Sequence, residues 1–334
     1  MAVVTTTDPR ELAAADERPG TRGLWFGLAA GLAWLLAATV TLALEDRGDW
    51  IETPVLGWSL AILGGLFLAL GLAARWLPQG GEGLARRGPW LIALGLLLTL
   101  WQLAAAKLGW LPQPFFPPPQ ALLEVYTYDY AVLGENLFAS VRLLVGGFVI
   151  GAIAGFVLGV SIGISHRIGY WMHPVLRFIG PLPATALLPV AFVAFPSSWS
   201  ASTFLIALAT GFPVTVLTWS GVASVDARYY DVARTLGATP RFLIFKVAIP
   251  AAMPHVFVGL FMALGTSFSV LMVAELIGAN AGIGFFIQWQ QGWAAYNAVY
   301  AALILLALLC SGAITLLFRV RDWQLSWQKG LVKW

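Results

Sequence analysis

Residues 138–164 read FASVRLLVGGFVIGAIAGFVLGVSIGI, and the only charged side chain in the run is Arg142. At a rise of about 1.5 Å per residue, about 20 apolar residues cross the hydrocarbon core of a bilayer as one helix, so this run is long enough to span. Gly147, Gly151, Gly155, Gly159 and Gly163 recur every four residues and therefore share one helical face. Small residues at that spacing let a second backbone approach closely, so the run predicts a helix packed in a tight membrane bundle rather than a face lining a path.

The chain around it has the same character. Of its 334 residues 59% are hydrophobic and 10% charged, with 16 tryptophans and a mean hydropathy of +0.81. A water-soluble domain has too little interior to hide that much apolar surface. Further apolar runs cover 24–44, 55–76, 89–110, 182–195, 201–223, 254–277 and 294–318, which with 138–164 predicts an all-α integral membrane fold of about eight spans. The run 182–195 is short and carries Pro183 and Pro189, with Pro181 just before it, so a kinked element packed inside the bundle is expected. A polar leader of 23 residues and a first run of 21 are both long for a secretory signal, and the run is read as a helix. Cys310 has no partner for a disulfide and reads as a small packed side chain.

Basic residues set the expected orientation. With the N-terminus in the cytoplasm, the inside segments hold Arg10, Arg18, Arg22, Arg75, Arg86, Arg87, Arg167, Arg177, Arg228, Arg234, Arg241, Lys246, Arg319, Arg321, Lys329 and Lys333. The outside segments keep Arg47 and Lys107, among the acidic Glu45, Asp46, Asp49 and Glu52. This asymmetry predicts both termini inside. The net charge of +3 forms no continuous basic patch, which argues against nucleic acid as a partner. The expected domains are a cytoplasmic tail 1–23, two transmembrane helices and a loop over 24–88, a core over 89–318 and a cytoplasmic tail 319–334.

The loop 224–250 carries helix start and stop signals. Asp226 is placed to cap a short helix through Arg228, Tyr229, Asp231, Val232, Ala233 and Arg234; Gly237 suits its stop, and Thr239 with Pro240 suits the start of the next helix. By physics alone it could equally be an ordered connector on the membrane surface. The residues add a resemblance. Asp231, Val232 and Ala233, three residues, Gly237, nine residues, Val247, one residue, then Ile249 and Pro250 have the spacing of the EAA motif of ABC importer permeases, with Asp for the usual Glu and Val for the first Ala. Ser140, Arg142, Gly147, Phe148 and the glycine series, Pro174, the 181–189 segment, and Ala274, Glu275 and Leu276 leading to Gly282, Ile283 and Gly284 are similar to the nitrate, sulfonate, taurine and bicarbonate branch of that family. The likeness covers 116–318. Two departures are the first two apolar runs, extra to a six-helix plan, and Ala194, Phe195, Pro196, Ser197 and Ser198, where relatives read closer to Trp-Phe-Gly.

The resemblance implies a type I ABC importer permease fold, paired as a homodimer, docking two ATP-binding subunits inside and receiving a small anionic solute from a binding protein outside. It also implies that Arg228, Asp231, Ala233, Arg234, Gly237 and Pro250 couple the chain to the ATPase. ATP and Mg would sit on that partner: Lys107, Lys246, Lys329 and Lys333 are followed by Leu, Val, Gly and Trp, so the chain holds no Gly-Lys-Ser/Thr phosphate loop. No metal or catalytic cluster is legible either; His166, His173 and His255 read as loop or interface residues, and no enzyme is expected. Glu275 inside a span costs about 3 kcal/mol on insertion scales and needs a reason. It either faces a solute path or pairs with Arg142, and the structural reading is favoured because Gly259, Met262, Thr266 and Ser269 form a stripe on the opposite side of the helix, a better lining for an anion than a carboxylate. Gly278, Asn280, Gly282 and Gly284 suggest a turn or re-entrant element after Glu275, and Trp289, Trp293, Trp323, Trp327 and Trp334 suit the headgroup belt. The rival class is an ion-coupled secondary transporter, for which Glu275 is the only intramembrane carboxylate on offer.

Overall fold

A computed structural model describes residues 19–74, 76 and 78–328. Arg10, Arg18, Arg75, Lys329, Lys333 and Trp334 lie outside the described residues. Every regular element among the described residues is helical. The helices are α1 (Pro19–Ala43), α2 (Thr53–Ala73), α3 (Pro78–Trp101), α4 (Pro119–Tyr128), α5 (Tyr130–Ile164), α6 (His166–Ile179), α7 (Leu188–Ala194), α8 (Ser198–Ala223), α9 (Ala227–Thr235), α10 (Pro240–Gly278), α11 (Ile283–Gly292) and α12 (Tyr296–Gln324). Seven are long and apolar enough to cross a membrane, and the count becomes eight if the bent pair formed by α6 and the segment Ala184–Ala194 is one span. Exposed Trp58, Ile62, Val149, Ile153, Leu308 and Leu316 on these helices present the apolar surface that a bilayer solvates.

The chain divides into two compact units. The first spans Met1–Tyr130 with Ala294–Ala301. In it α1 lies between α2 and α3, held by small residues: a Cβ on Gly27 would strike the Gly71 backbone, and one on Gly95 would sit 2.8 Å from the Trp34 ring. Ala37, Ala38 and Leu60 are buried at the centre, flanked by Trp34, Leu56, Ala61 and Leu98. Beyond Trp101 the helix widens into a π-helical turn, Gln102–Lys107. That turn delivers the Lys107 ammonium to the carbonyls of Thr41 (2.8 Å) and Leu44 (2.6 Å) and to Asp46 Oδ1 (2.8 Å). Three donors meet three acceptors, which is what a buried ammonium requires. Lys107, assigned from the sequence to an outside segment, is a buried seal on the C-terminal end of α1.

The second unit spans Ala131–Trp293 with Ala302–Trp334. Its framework is α5 against α8 and α8 against α10. Every member of the glycine series meets α8: added Cβ atoms at Gly147, Gly159 and Gly163 would lie 2.6 Å from the Cβ atoms of Ile206, Thr218 and Val222, one at Gly155 would lie 2.6 Å from the Gly211 carbonyl, and one at Gly151 would strike the Ala207 carbonyl. The packing face read from the sequence is that contact. Leu205, Ile206, Leu264 and Leu271 fill the core beside it, with Leu143, Leu144, Leu188 and Phe268.

Three readings are corrected. The 182–195 element is one arm of a pair: α6 and the Ala184–Ala194 segment meet at 84°. Gly180 still has helical geometry; the chain turns extended at Pro183, after Leu182, a pre-proline position that disfavours helix, whereas Pro189 sits in the first turn of α7, where it is tolerated. The helix of the third span starts at Pro78 and its apolar span at Gly81, not at Pro89, which lies within α3, so Arg86 and Arg87 sit on a helix rather than in a loop. Finally, α4 and α6 occupy stretches read as connections. The departure at Ser197 has a local account: Ser197 and Ser200 form a reciprocal capping box that starts α8.

Candidate functional site

The loop 224–250 folds as its signals indicate. Asp226 Oδ1 accepts the Arg228 amide at 2.9 Å and starts α9. The helix ends with the Gly237 amide donating to the Arg234 carbonyl (2.9 Å) and the Ala238 amide to the Ala233 carbonyl (3.0 Å), the paired bonds of a Schellman motif. Gly237 is left-handed at φ +82°, a region a residue with a Cβ enters only at a cost. Thr239 Oγ1 then accepts the Phe242 amide at 3.4 Å and Pro240 occupies the first turn of α10, which passes through a π-helical stretch, Leu243–Ala248.

This makes α9 a short lever closed at both ends. Its base is held by Val222, Ala248 and Ala252, with Tyr230 packed on them, and burial pushes the Tyr230 phenol above its ordinary value. Its other face is open. Tyr229, Val232 and Leu236 are exposed at 67%, 60% and 82%, an apolar stripe at helical spacing that no described residue covers. Arg228 pairs with Asp226 and Arg234 with Asp231 at 3.1 and 3.3 Å, all exposed, so the polar groups are braced along the helix rather than buried. Of the residues named for coupling, Arg228, Asp231, Ala233, Arg234 and Gly237 are gathered on α9 and its stop. Pro250 lies apart from them, beyond the π-helical stretch of α10.

Glu275 is buried to 1% exposure near the end of α10. No ion pair joins it to Arg142, which is exposed. Arg142 stands two residues, about 200°, around α5 from the side chain that does reach the carboxylate. That side chain is Ser140: its hydroxyl donates to Glu275 Oε1 at 2.7 Å and accepts the Ile283 amide at 2.8 Å. The Gly284 amide donates to Glu275 Oε2 at 2.8 Å, and Asn136 Oδ1 accepts the Gly282 amide at 2.9 Å. The carboxyl group therefore takes one first-turn amide of α11, that of Gly284, while Ser140 takes the next one, that of Ile283. Gly282, at φ +128°, lies directly against it, and a Cβ there would collide with the carboxylate. Its partners are Ser140 and Gly284, in place of the Arg142 expected from the sequence.

Across α10, Met262, Thr266 and Ser269 are exposed and line a cavity of about 700 Å³ with Gly265, Leu208, Phe212 and the Pro181–Thr185 turn. Gly259 does not join them; it is buried against Val214 and Leu217 of α8. Thr266 Oγ1 has one proton to donate and three carbonyls within reach, those of Ala263 (3.0 Å), Ala209 (3.2 Å) and Met262 (3.4 Å). Sequence reasoning missed the turn 181–185 and α6 as walls of this cavity, although the proline density there was a signal of irregular backbone. Among the described residues no group of three or more His, Cys, Asp or Glu is placed to hold a metal.

Comparison with known proteins places the geometry in context. Residues 147–325 match the family described as binding-protein-dependent transport system inner membrane component. The bicarbonate transport system permease protein CmpB of Synechocystis is 33% identical over 234 residues, 67% of this chain and 81% of its own. The nitrate import permease protein NrtB of Leptolyngbya laminosa is 31% identical over 71% of this chain and 85% of its own. A Bacillus subtilis protein named for aliphatic sulfonates transport, SsuC, is 30% identical over 70% of this chain and 89% of its own.

Proposed function

Because this chain belongs to the binding-protein-dependent transport system inner membrane components, a family of multi-pass permeases of the bacterial inner membrane, we propose that it is the permease subunit of an ATP-driven importer of a small anionic solute. The observation that carries the reading is α9: a helix capped at both ends, rigid, mounted on the ends of α8 and α10, and presenting an exposed stripe of Tyr229, Val232 and Leu236. A lever of that kind passes movement in a partner to the two spanning helices it joins. The chain has no phosphate loop, so ATP and Mg would bind on separate ATPase subunits. The assembly would be a homodimer with two ATPases in the cytoplasm and a solute-binding protein on the other face. Nitrate, bicarbonate, sulfonates, taurine and organic carboxylates are the solute class; Thr266, Ser269 and Met262 would line the path. An ion-coupled secondary transporter would need a carboxylate free to change partners inside a span, and Glu275 is committed to Ser140 and Gly284.

The test is Gly237→Val and Asp231→Lys. The first forces a β-branched residue into φ +82°; the second reverses a charge on the open face. Both variants should insert and dimerise as the parent does, yet lose co-purification of the ATPase and solute-stimulated ATP hydrolysis. Full coupled activity in both, or solute movement by the purified chain with no ATPase, would discard this function in favour of the secondary transporter.

A further inference from the structure

The cavity beside Thr266 has neighbours along α6 and α8. It shares Gly180, Pro181 and Phe212 with a second cavity of about 380 Å³. That one shares His173, Arg177 and Trp219 with a third of about 880 Å³, which opens beside His166 at the turn joining α5 to α6. Along α8 the wall is Leu208, Phe212, Val216 and Trp219, residues three or four apart and so on one face of that helix. On the opposite wall His166, Gly169, His173 and Arg177 follow at the same spacing along α6, and the His173 ring meets Trp219 at 4.4 Å between centroids. The three cavities follow one another along shared lining residues, with hydroxyls at one end and cations at the other.

Its charge is one-sided. Between Glu135 and Asp226 the sequence contains no carboxylate, while Arg142, His166, Arg167, His173 and Arg177 fall in that interval. No Asp or Glu lines any of the three cavities. Arg177 makes no ion pair among the described residues, and a guanidinium stays charged at any physiological pH. A narrow groove with low-dielectric walls focuses such a charge and concentrates anions in it. We propose that this groove is the inward half of the anion path, with Arg177 as its charge-selecting residue and His173 and His166 as hydrogen-bond donors at its mouth. The ligand is a small oxoanion with planar or tetrahedral oxygens, the geometry a guanidinium fork grips best. The proposal rests on the transport reading above and adds the route and the selecting group. The same donors also suit the phosphate of an anionic lipid, since α6 carries exposed Trp171 and Phe178.

Thiol chemistry separates these sources without knowledge of the solute. In the intact complex, reconstituted in phosphatidylcholine vesicles with Cys310→Ser as background, Met262→Cys and Thr266→Cys are treated with anionic 2-sulfonatoethyl methanethiosulfonate and with its cationic trimethylammonium counterpart. Each rate is divided by that of a free thiol and read from the mass of this chain. The anionic reagent should be favoured about tenfold. Arg177→Gln should bring the ratio close to one, and Arg177→Lys should keep most of it. Two positions guard against one variant failing to fold. A ratio unaffected by Arg177→Gln, or two cysteines inert to both reagents, would overturn the proposal. So would an Arg177 effect seen only when phosphatidylglycerol is added, which would make α6 a headgroup site. Labelling needs no ATP, so failure here leaves the coupling test of Gly237→Val standing, and failure there leaves the groove.

Discussion

At the scale of single residues, the informative group is the Glu275 carboxylate, because it is buried with its hydrogen bonds accounted for by name. Ser140 serves two groups at once, donating to Glu275 and accepting from Ile283. Ser140→Ala therefore removes one donor from a buried carboxyl group and leaves a buried amide unpaired, a loss of about 1–3 kcal/mol by the usual cost of an unsatisfied buried polar group. Arg142→Gln touches neither and should change stability by no more than about 0.5 kcal/mol, as exposed substitutions do. The measurement is the thermal midpoint of the detergent-purified complex for Ser140→Ala, Glu275→Gln, Arg142→Gln and the Arg142→Gln/Glu275→Gln double variant. A double variant more stable than Glu275→Gln alone would reinstate the ion pair and contradict the geometry. Arg142 and Glu275 were legible as charges at similar depth in two spans; that a serine two residues away would be the partner depends on the rotation of α5, which charge counting does not contain.

At the scale of elements, neighbouring glycines in α5 have opposite surroundings. Gly147 and Gly151 are pressed onto α8, whereas a Cβ on Gly146 meets nothing within 4 Å. Gly146→Ala should be neutral or stabilise by up to about 1 kcal/mol, through the reduced freedom of the unfolded chain. Gly151→Val must displace the Ala207 carbonyl and with it the α5–α8 contact, and a packed membrane interface has no hydrophobic surplus to absorb the change. Fluorescence-detected size exclusion of tagged variants checks this: a monodisperse peak for Gly146→Ala and an aggregated or absent one for Gly151→Val. Equal peaks would mean that α5 and α8 separate without penalty. The period of four was enough to predict a packed face, because periodicity is a property of one helix; the identity of α8 as its partner is a property of two.

For the whole molecule, the distribution of basic residues is the quantity that bears on orientation. Its expected consequence is that a reporter fused after Ala43 reads outside and one fused after Trp334 reads inside, in a membrane whose cytoplasmic loops carry most Lys and Arg. A C-terminus on the outer face would refute the even number of spans. Lys107 is instructive here. It counted as one of two basic exceptions on the outside, yet it is neutralised by Asp46 and two carbonyls, so it weakens the asymmetry less than a solvated lysine would.

What the sequence determined by itself is whatever depends on residues within about one helical turn of each other: the spans, the shared face of Gly147 to Gly163, the Asp226 cap, and the left-handed stop at Gly237. Those features are set by periodicity, capping chemistry and the missing Cβ, all local. The tertiary structure alone decided that Glu275 rests on Ser140 and on the Gly284 amide, and that α3 packs with α1. It also decided that α6 folds back at 84° so that Arg177 and His173 face Trp219 of α8. The physical reason is common to all three. A buried charge, a small-residue face and a proline-broken turn each demand a partner, but many partners satisfy the demand, and only the packing of the remaining helices selects one.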